Sequence, residues 1–274
     1  MRARPNHLAG FGSLIWLFVV GLPLYVMLVA TFQTRADYAA NGPLSLPDPE
    51  HLTLDNYVND LSDGFGQYFL NTVIVTVCVV GIVVLLVPPL AYAIVRSDGR
   101  AAGRVFRLFL LGLAVPSQAV IVPMFYLINE AGLYDSLIGI VLPTAAFAMP
   151  VCALILTGVM RDISPELYEA MTLDGASSWR IFLRLVVPLS KGGLSTVVVF
   201  SSLQAWNGFL FPLVLTQSTE NKVITMGLYD FQTEHGVDIP ALLSAVVLSM
   251  LPVLFVYLFA RRALVQGLMG VGGK

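Results

Sequence analysis

Few residues in this chain are spaced for covalent chemistry. His7, His51 and His235 lie far apart and outside every long apolar run, so no nucleophile–base pair of the serine–histidine kind is expected. Cys78 and Cys152 both fall inside apolar runs, which suits small core residues better than a disulfide or a metal site. A G-x-x-x-x-G-K-[ST] phosphate loop is missing: Gly267 and Gly272 have the spacing, but Gly273 stands where lysine is required. What remains is a set of neutral hydrogen-bonding groups in apolar sequence, namely Ser117, Gln118, Thr144, Thr157, Ser201, Ser202, Gln204 and Asn207. Most are expected to bond to neighbouring helices. Gln118, Thr144, Gln204 and Asn207 are best placed to meet the hydroxyls of an uncharged solute, with Trp206 and Phe209 as an apolar platform.

The elements that must position these groups follow from composition. The 274 residues are 57% hydrophobic and 12% charged, with a mean hydropathy of +0.81. Soluble domains carry about 25% charged residues, so this chain lacks the charge to solvate a surface of its size. A soluble enzyme, a disordered chain and a basic-patch nucleic-acid binder are excluded. The net charge of −2 implies no general attraction to anions.

Six runs, residues 11–31, 69–95, 108–128, 137–160, 194–217 and 241–260, have roughly the length a bilayer demands, and none contains Asp, Glu, Lys, Arg or His. They lack the alternation of barrel strands. The expected fold is all-α with six transmembrane helices. The first run is too long for a signal peptide and lacks a convincing cleavage site, so it is expected to stay as a helix. With the N-terminus in the cytoplasm, 13 of the 15 basic residues fall in the cytoplasmic segments 1–10, 96–107, 161–193 and 261–274. Twelve of the 17 acidic residues fall on the other side, so the topology is N-in/C-in. The chain then reads as an N-tail (1–10), a first helix with its outer loop (11–68), a five-helix core (69–260) and a C-tail (261–274). A short helix is expected near 54–61. Without ionisable residues in the spans there is no proton or sodium relay, so any transport must draw its energy from a partner. The many prolines in the spans, Pro88, Pro116, Pro150 and Pro212 among them, suit either ordinary packing or broken helices along a path.

The 161–193 segment is too structured to be a linker. Ser164-Pro165 is a helix start, Glu166 and Glu169 sit in the early turns, and Asp174-Gly175 is a stop. Leu167, Ala170 and Met171 share one face. Ser177 or Ser178 begins a second helix with Trp179, Phe182, Leu183 and Val186 on its apolar face, and Pro188 closes the segment. On these grounds alone the pair could simply close the bundle from the membrane surface.

Glu169-Ala170-Met171, Asp174-Gly175-Ala176, Phe182 and Pro188 resemble the EAA motif of ABC-importer permeases, with Met171 in place of the last alanine. Leu54-Asp55-Asn56-Tyr57, Asn71-Thr72, residues 205–213 and the tail 266–274 resemble the carbohydrate-uptake, MalG-type branch, so the likeness spans nearly the whole chain. The resemblance implies that the helix before the Gly turn is a coupling helix docked in an ATP-binding subunit. Glu169 would pair with a basic residue there, with Ala170, Met171, Asp174, Gly175 and Ala176 shaping the knob. It also implies a second homologous permease, two ATP-binding subunits carrying ATP and Mg, and an extracytoplasmic solute-binding protein. That protein would meet the loop 218–239, including Asn221, Asp230, Glu234 and Asp238. This chain would hold no cofactor and no nucleic acid, and would sit in a bacterial cell membrane as a sugar-import permease. A permease for glycerol phosphate or another small polar solute is the alternative. An intramembrane enzyme or an ion channel is disfavoured by the missing residues.

Overall fold

The computed structural model describes residues 7–47, 49–97, 99–233 and 236–272. Arg2, Arg4, Glu234, His235, Gly273 and Lys274 lie outside them. The long elements are helices, which pair their backbone groups internally, as an apolar solvent demands. In chain order they are α1 (His7–Ala30), α2 (Arg35–Asn41), α3 (Asp55–Asp60), α4 (Gly66–Arg96), α5 (Arg100–Gly112), α6 (Ile121–Glu130) and α7 (Leu137–Arg161). There follow α8 (Pro165–Leu173), α9 (Ser178–Ile181), α10 (Val187–Leu189), α11 (Lys191–Trp206), α12 (Leu210–Leu215), α13 (Ile224–Gly227) and α14 (Ile239–Gly272). A two-residue antiparallel ladder joins β1 (Gln232–Thr233) to β2 (Gly236–Val237), with Gln232 opposite Val237.

Among the described residues three helices, α1, α4 and α7, are long and apolar enough to cross a membrane, and up to five spans result if each of two bent pairs counts as one. The 108–128 run is not one straight helix. It divides between α5 and α6 with a 94° bend. At the break Pro116 is extended (φ −70°, ψ 136°) and a 3-10 turn, Ser117–Val120, follows. The 194–217 run is likewise interrupted at 207–209, between α11 and α12. A second bend, 77°, separates 178–189 from α11. The 241–260 run falls within α14. Proline by itself does not break these helices: Pro23, Pro88, Pro89, Pro143, Pro150 and Pro252 all lie inside continuous ones.

The chain divides into two compact units, one from residues 1–66 and 227–251, the other from 67–226 and 252–274. In the first, α1 is apolar on every side and almost wholly exposed, with Trp16 70% accessible. A helix of this kind is stable only in an apolar medium or against a partner. Its C-terminal end is fastened by α3. Asn56 Nδ2 donates to the carbonyls of Thr31 (2.8 Å) and Gln33 (2.9 Å), and Tyr57 OH donates to Thr31 Oγ1 (2.8 Å). The buried Asp60 carboxylate accepts from Ser244 Oγ at 2.5 Å.

In the second unit α7 is the central element. Val75, Val79, Val83, Val87 and Ala91 of α4 recur every fourth residue and pack into the same core as Ala148, Cys152, Leu156 and Met160 of α7. Helix α11 lies close against α7 because Gly193 has no side chain: a Cβ there would meet Val159 Cγ2 at 2.9 Å. Cys152 is buried as expected, whereas Cys78 is exposed on α4. An apolar run that forms a lipid-exposed helix face does not hide all its residues.

Candidate functional site

Two stretches of the second unit gather the residues that the sequence singled out. The first is the segment after α7. Pro165 opens α8, but Ser164 does not cap it through its side chain. Its hydroxyl donates to the Glu166 carboxylate, which holds that carboxyl below its usual range, while the Leu167 N–H reaches the Ser164 carbonyl at 3.2 Å. The other end is a Schellman stop. Gly175 is left-handed (φ +75°). Its N–H donates to the Thr172 carbonyl and the Ala176 N–H to that of Met171, each at 3.0 Å. Ser177 caps α9, accepting from the Arg180 N–H at 3.4 Å. One wide π turn, Phe182–Val186, follows. Pro188, which has no N–H to donate, comes two residues later.

The buried face of α8 differs from the expected one. Leu167 and Ala170 are exposed; Tyr168 is buried and Met171 packs beside it against the core. The side chain that fills the gap is the aromatic one, because α4 supplies it with a partner: the Arg96 guanidinium stands 4.7 Å above the Tyr168 ring. Burial pushes the Tyr168 hydroxyl pKa up, against the opposing pull of Arg96. In the next helix Ile181, Phe182 and Val186 are buried while Trp179 and Leu183 are exposed. Phe182 lies 5.4 Å from both Tyr92 and Trp179. Arg161, at the end of α7, covers the Phe106 ring of α5 at 5.2 Å. The result is a short helix pinned from beneath. Glu169, Ala170, Asp174 and Gly175 are exposed, Ala176 is half-buried against the core, and Leu173 is 88% accessible at the tip.

The second stretch is 216–224. Asp135, itself left-handed (φ 55°), accepts through Oδ1 from the N–H groups of Gln217 (2.9 Å) and Ser218 (3.0 Å), and these bonds hold its carboxyl below the usual range. Asn221 Nδ2 donates to the Asp135 carbonyl at 2.7 Å. From α4, Asn71 Nδ2 donates to the carbonyls of Glu220 (2.7 Å) and Lys222 (2.8 Å), and Thr72 Oγ1 accepts from the Ile224 N–H (2.9 Å). Asn221, expected to face a partner, therefore turns its amide inward. Asp238 begins α14, its carboxylate accepting from the Ala241 N–H at 3.3 Å. The fastening role of Asp135 was missed; the signal for it was an acidic residue after Gly132 at a helix junction.

The solute-path candidates are distributed over several elements. Gln118 is exposed in the turn between α5 and α6, and Gln204 and Asn207 are exposed at the end of α11. Between these last two, Trp206 sets its ring edge-on to Phe69 at 5.8 Å. Asn207 Nδ2 donates to the Leu203 carbonyl at 2.9 Å. Thr144 is buried in α7, its hydroxyl donating to the Ile140 carbonyl at 2.7 Å. Phe209 is on the interrupted stretch between α11 and α12.

Known proteins carry the same architecture. The chain is 34% identical over 253 residues to the diacetylchitobiose uptake system permease protein NgcG of Streptomyces coelicolor, covering 91% of this chain and 83% of that one. It is 31% identical over 255 residues to the putative ABC transporter permease protein ORF2 of Caldicellulosiruptor sp., covering 93% and 92%. Its fold matches a bacterial ABC transporter involved in alginate import with a TM-score of 0.81 at 20% identity, over 96% of this chain and 98% of that one. A match with a TM-score of 0.66 at 18% identity, covering 94% of each chain, comes from the alginate transporter in complex with a periplasmic protein bound to alginate pentasaccharide. The family model of the binding-protein-dependent transport system inner membrane component matches residues 89–270, a stretch that contains α7, the pinned helix and its glycine stop. The chain is thus a multi-pass membrane protein that belongs to the family of binding-protein-dependent transport system inner membrane components.

Proposed function

We propose that this chain is a transmembrane permease subunit of an ATP-driven sugar importer, with α8 as its coupling helix. The observation that carries the reading is the state of α8. It is anchored through Tyr168 and Met171, stopped by Gly175, and presents Glu169, Leu173 and Asp174 outward. A short rigid helix with exposed carboxylates and an exposed apolar tip suits docking into a groove of another subunit. The sugar assignment is supported by relatives such as the diacetylchitobiose uptake permease.

In this reading six spans, N-in/C-in, place α8 in the cytoplasm and 216–224 on the outer side, in agreement with the distribution of Arg and Lys. A homologous second permease, two ATP-binding subunits that carry ATP and Mg, and an extracytoplasmic binding protein complete the assembly in a bacterial cell membrane. Alternating access follows when closure of the ATPase pair draws the coupling helices together. Gln118, Gln204 and Asn207, with Trp206, are the solute-path groups. Thr144 is buried and its hydroxyl hydrogen is committed to the Ile140 carbonyl, so it would meet a solute only as an acceptor.

The test is reconstitution of the chain with its partner permease and ATP-binding subunits in proteoliposomes. Sugar-loaded binding protein should stimulate ATP hydrolysis and drive sugar uptake. Hydrolysis that ignores the loaded binding protein, together with no uptake, would contradict the proposal.

A further inference from the structure

We infer that the Arg96–Tyr168 contact is the joint through which movement of α8 reaches α4, an inference that rests on the coupling reading of α8. Tyr168 is the buried residue of that helix, at 2% accessibility. Its ring lies under Arg96, in the last turn of α4. Its hydroxyl is buried without a hydrogen-bond partner, so the ring makes the contact and the phenol oxygen adds nothing to it. Around it, Tyr92 of α4 meets Phe182, which brings the helix after the Gly turn onto the same strut. A displacement of α8 therefore moves a side chain that is gripped by α4.

The other end of α4 gives this contact a use. Asn71 and Thr72 hold the backbone of 220–224. Asn71 precedes Arg96 by 25 residues, about 38 Å along an α-helix at 1.5 Å per residue. Between them the helix is continuous despite Pro88 and Pro89, and its valine stripe is packed into the core. One rigid element is thus fastened to the docking helix at one end and to the 216–224 segment at the other. A joint of this kind is a positioning device. Losing it should leave docking intact and reduce what docking accomplishes.

The experiment uses the assembled transporter and reads two quantities: retention of the ATP-binding subunits on purification, and sugar molecules imported per ATP hydrolysed. Arg96 is exposed, so Arg96→Gln removes the cation without opening a cavity, and Tyr168→Leu removes the ring. Both should keep the ATP-binding subunits and lower the ratio about two- to fivefold, the scale set by a cation–π contact whose cation is exposed. Tyr168→Phe should behave as wild type, since it keeps the ring and removes only the unpartnered hydroxyl. A wild-type ratio in Arg96→Gln overturns the inference. So does loss of the ATP-binding subunits in that variant, because the pair would then shape the docking surface instead of transmitting through it. If the wild-type chain itself neither retains those subunits nor imports sugar, the coupling reading fails, and this inference with it.

Discussion

At the scale of single residues, the polar side chains of this protein act mainly as fasteners of backbone. Asn71 shows the physics best. It is 2% accessible, and its one amide nitrogen serves two carbonyls, those of Glu220 and Lys222. A hydrogen bond contributes about 0.5–1.5 kcal/mol net, so the two together contribute roughly 1–3 kcal/mol. Asn71→Ala should therefore destabilise the protein by roughly that amount and lower its melting temperature, with segment 216–224 opening first to amide exchange. Asn71→Asp should do no better, since a carboxylate cannot donate. Unchanged exchange protection in that segment would contradict the assignment. Asn56-Tyr57 and Asn71-Thr72 were legible as parts of a family pattern. Their bonding partners, 23 to 26 residues away in one case and about 150 in the other, were not, because sequence carries no record of which distant carbonyl is left unpaired.

At the scale of elements, the stop signals were the most readable. Asp174-Gly175 ends α8 as a left-handed glycine should, and Pro165 starts it. The buried faces were less readable. Periodicity offered Leu167, Ala170 and Met171 as one stripe, and the packing chose Tyr168, because Arg96 waits above its ring. The prolines left broken helices open without placing them; the bend at Pro116 and the interruption at 207–209 were not legible, because apolar content marks membrane-compatible sequence without recording whether the helix is straight. Helix packing supplies the prediction at this scale. Gly193 lets α11 approach α7, and its Cβ would collide with Val159. Gly193→Val should cost about 1–3 kcal/mol by overpacking, and pairing it with Val159→Ala should restore part of the loss. Thermal melts of the single and double variants check this; equal melting temperatures for wild type and Gly193→Val would contradict it.

At the scale of the whole molecule, the sequence already carried the class. Long apolar runs without charge describe a multi-pass membrane protein, the class to which the family match assigns it. In the proposed assembly α8 links this protein to its energy source, and of its two exposed carboxylates, Glu166 and Glu169, the one in the EAA-like stretch is Glu169. The most direct measurement is sugar uptake by proteoliposomes holding the full transporter with Glu169→Lys. A lysine against a basic groove should cost several kcal/mol of docking, roughly 2–5 kcal/mol for a close charge pair. The variant should insert normally and melt like wild type, since Glu169 is exposed. Its uptake should nonetheless fall to background while ATP hydrolysis by the ATP-binding subunits no longer responds to sugar-loaded binding protein. Uptake at the wild-type rate in that variant would contradict the claim that α8 is the coupling helix.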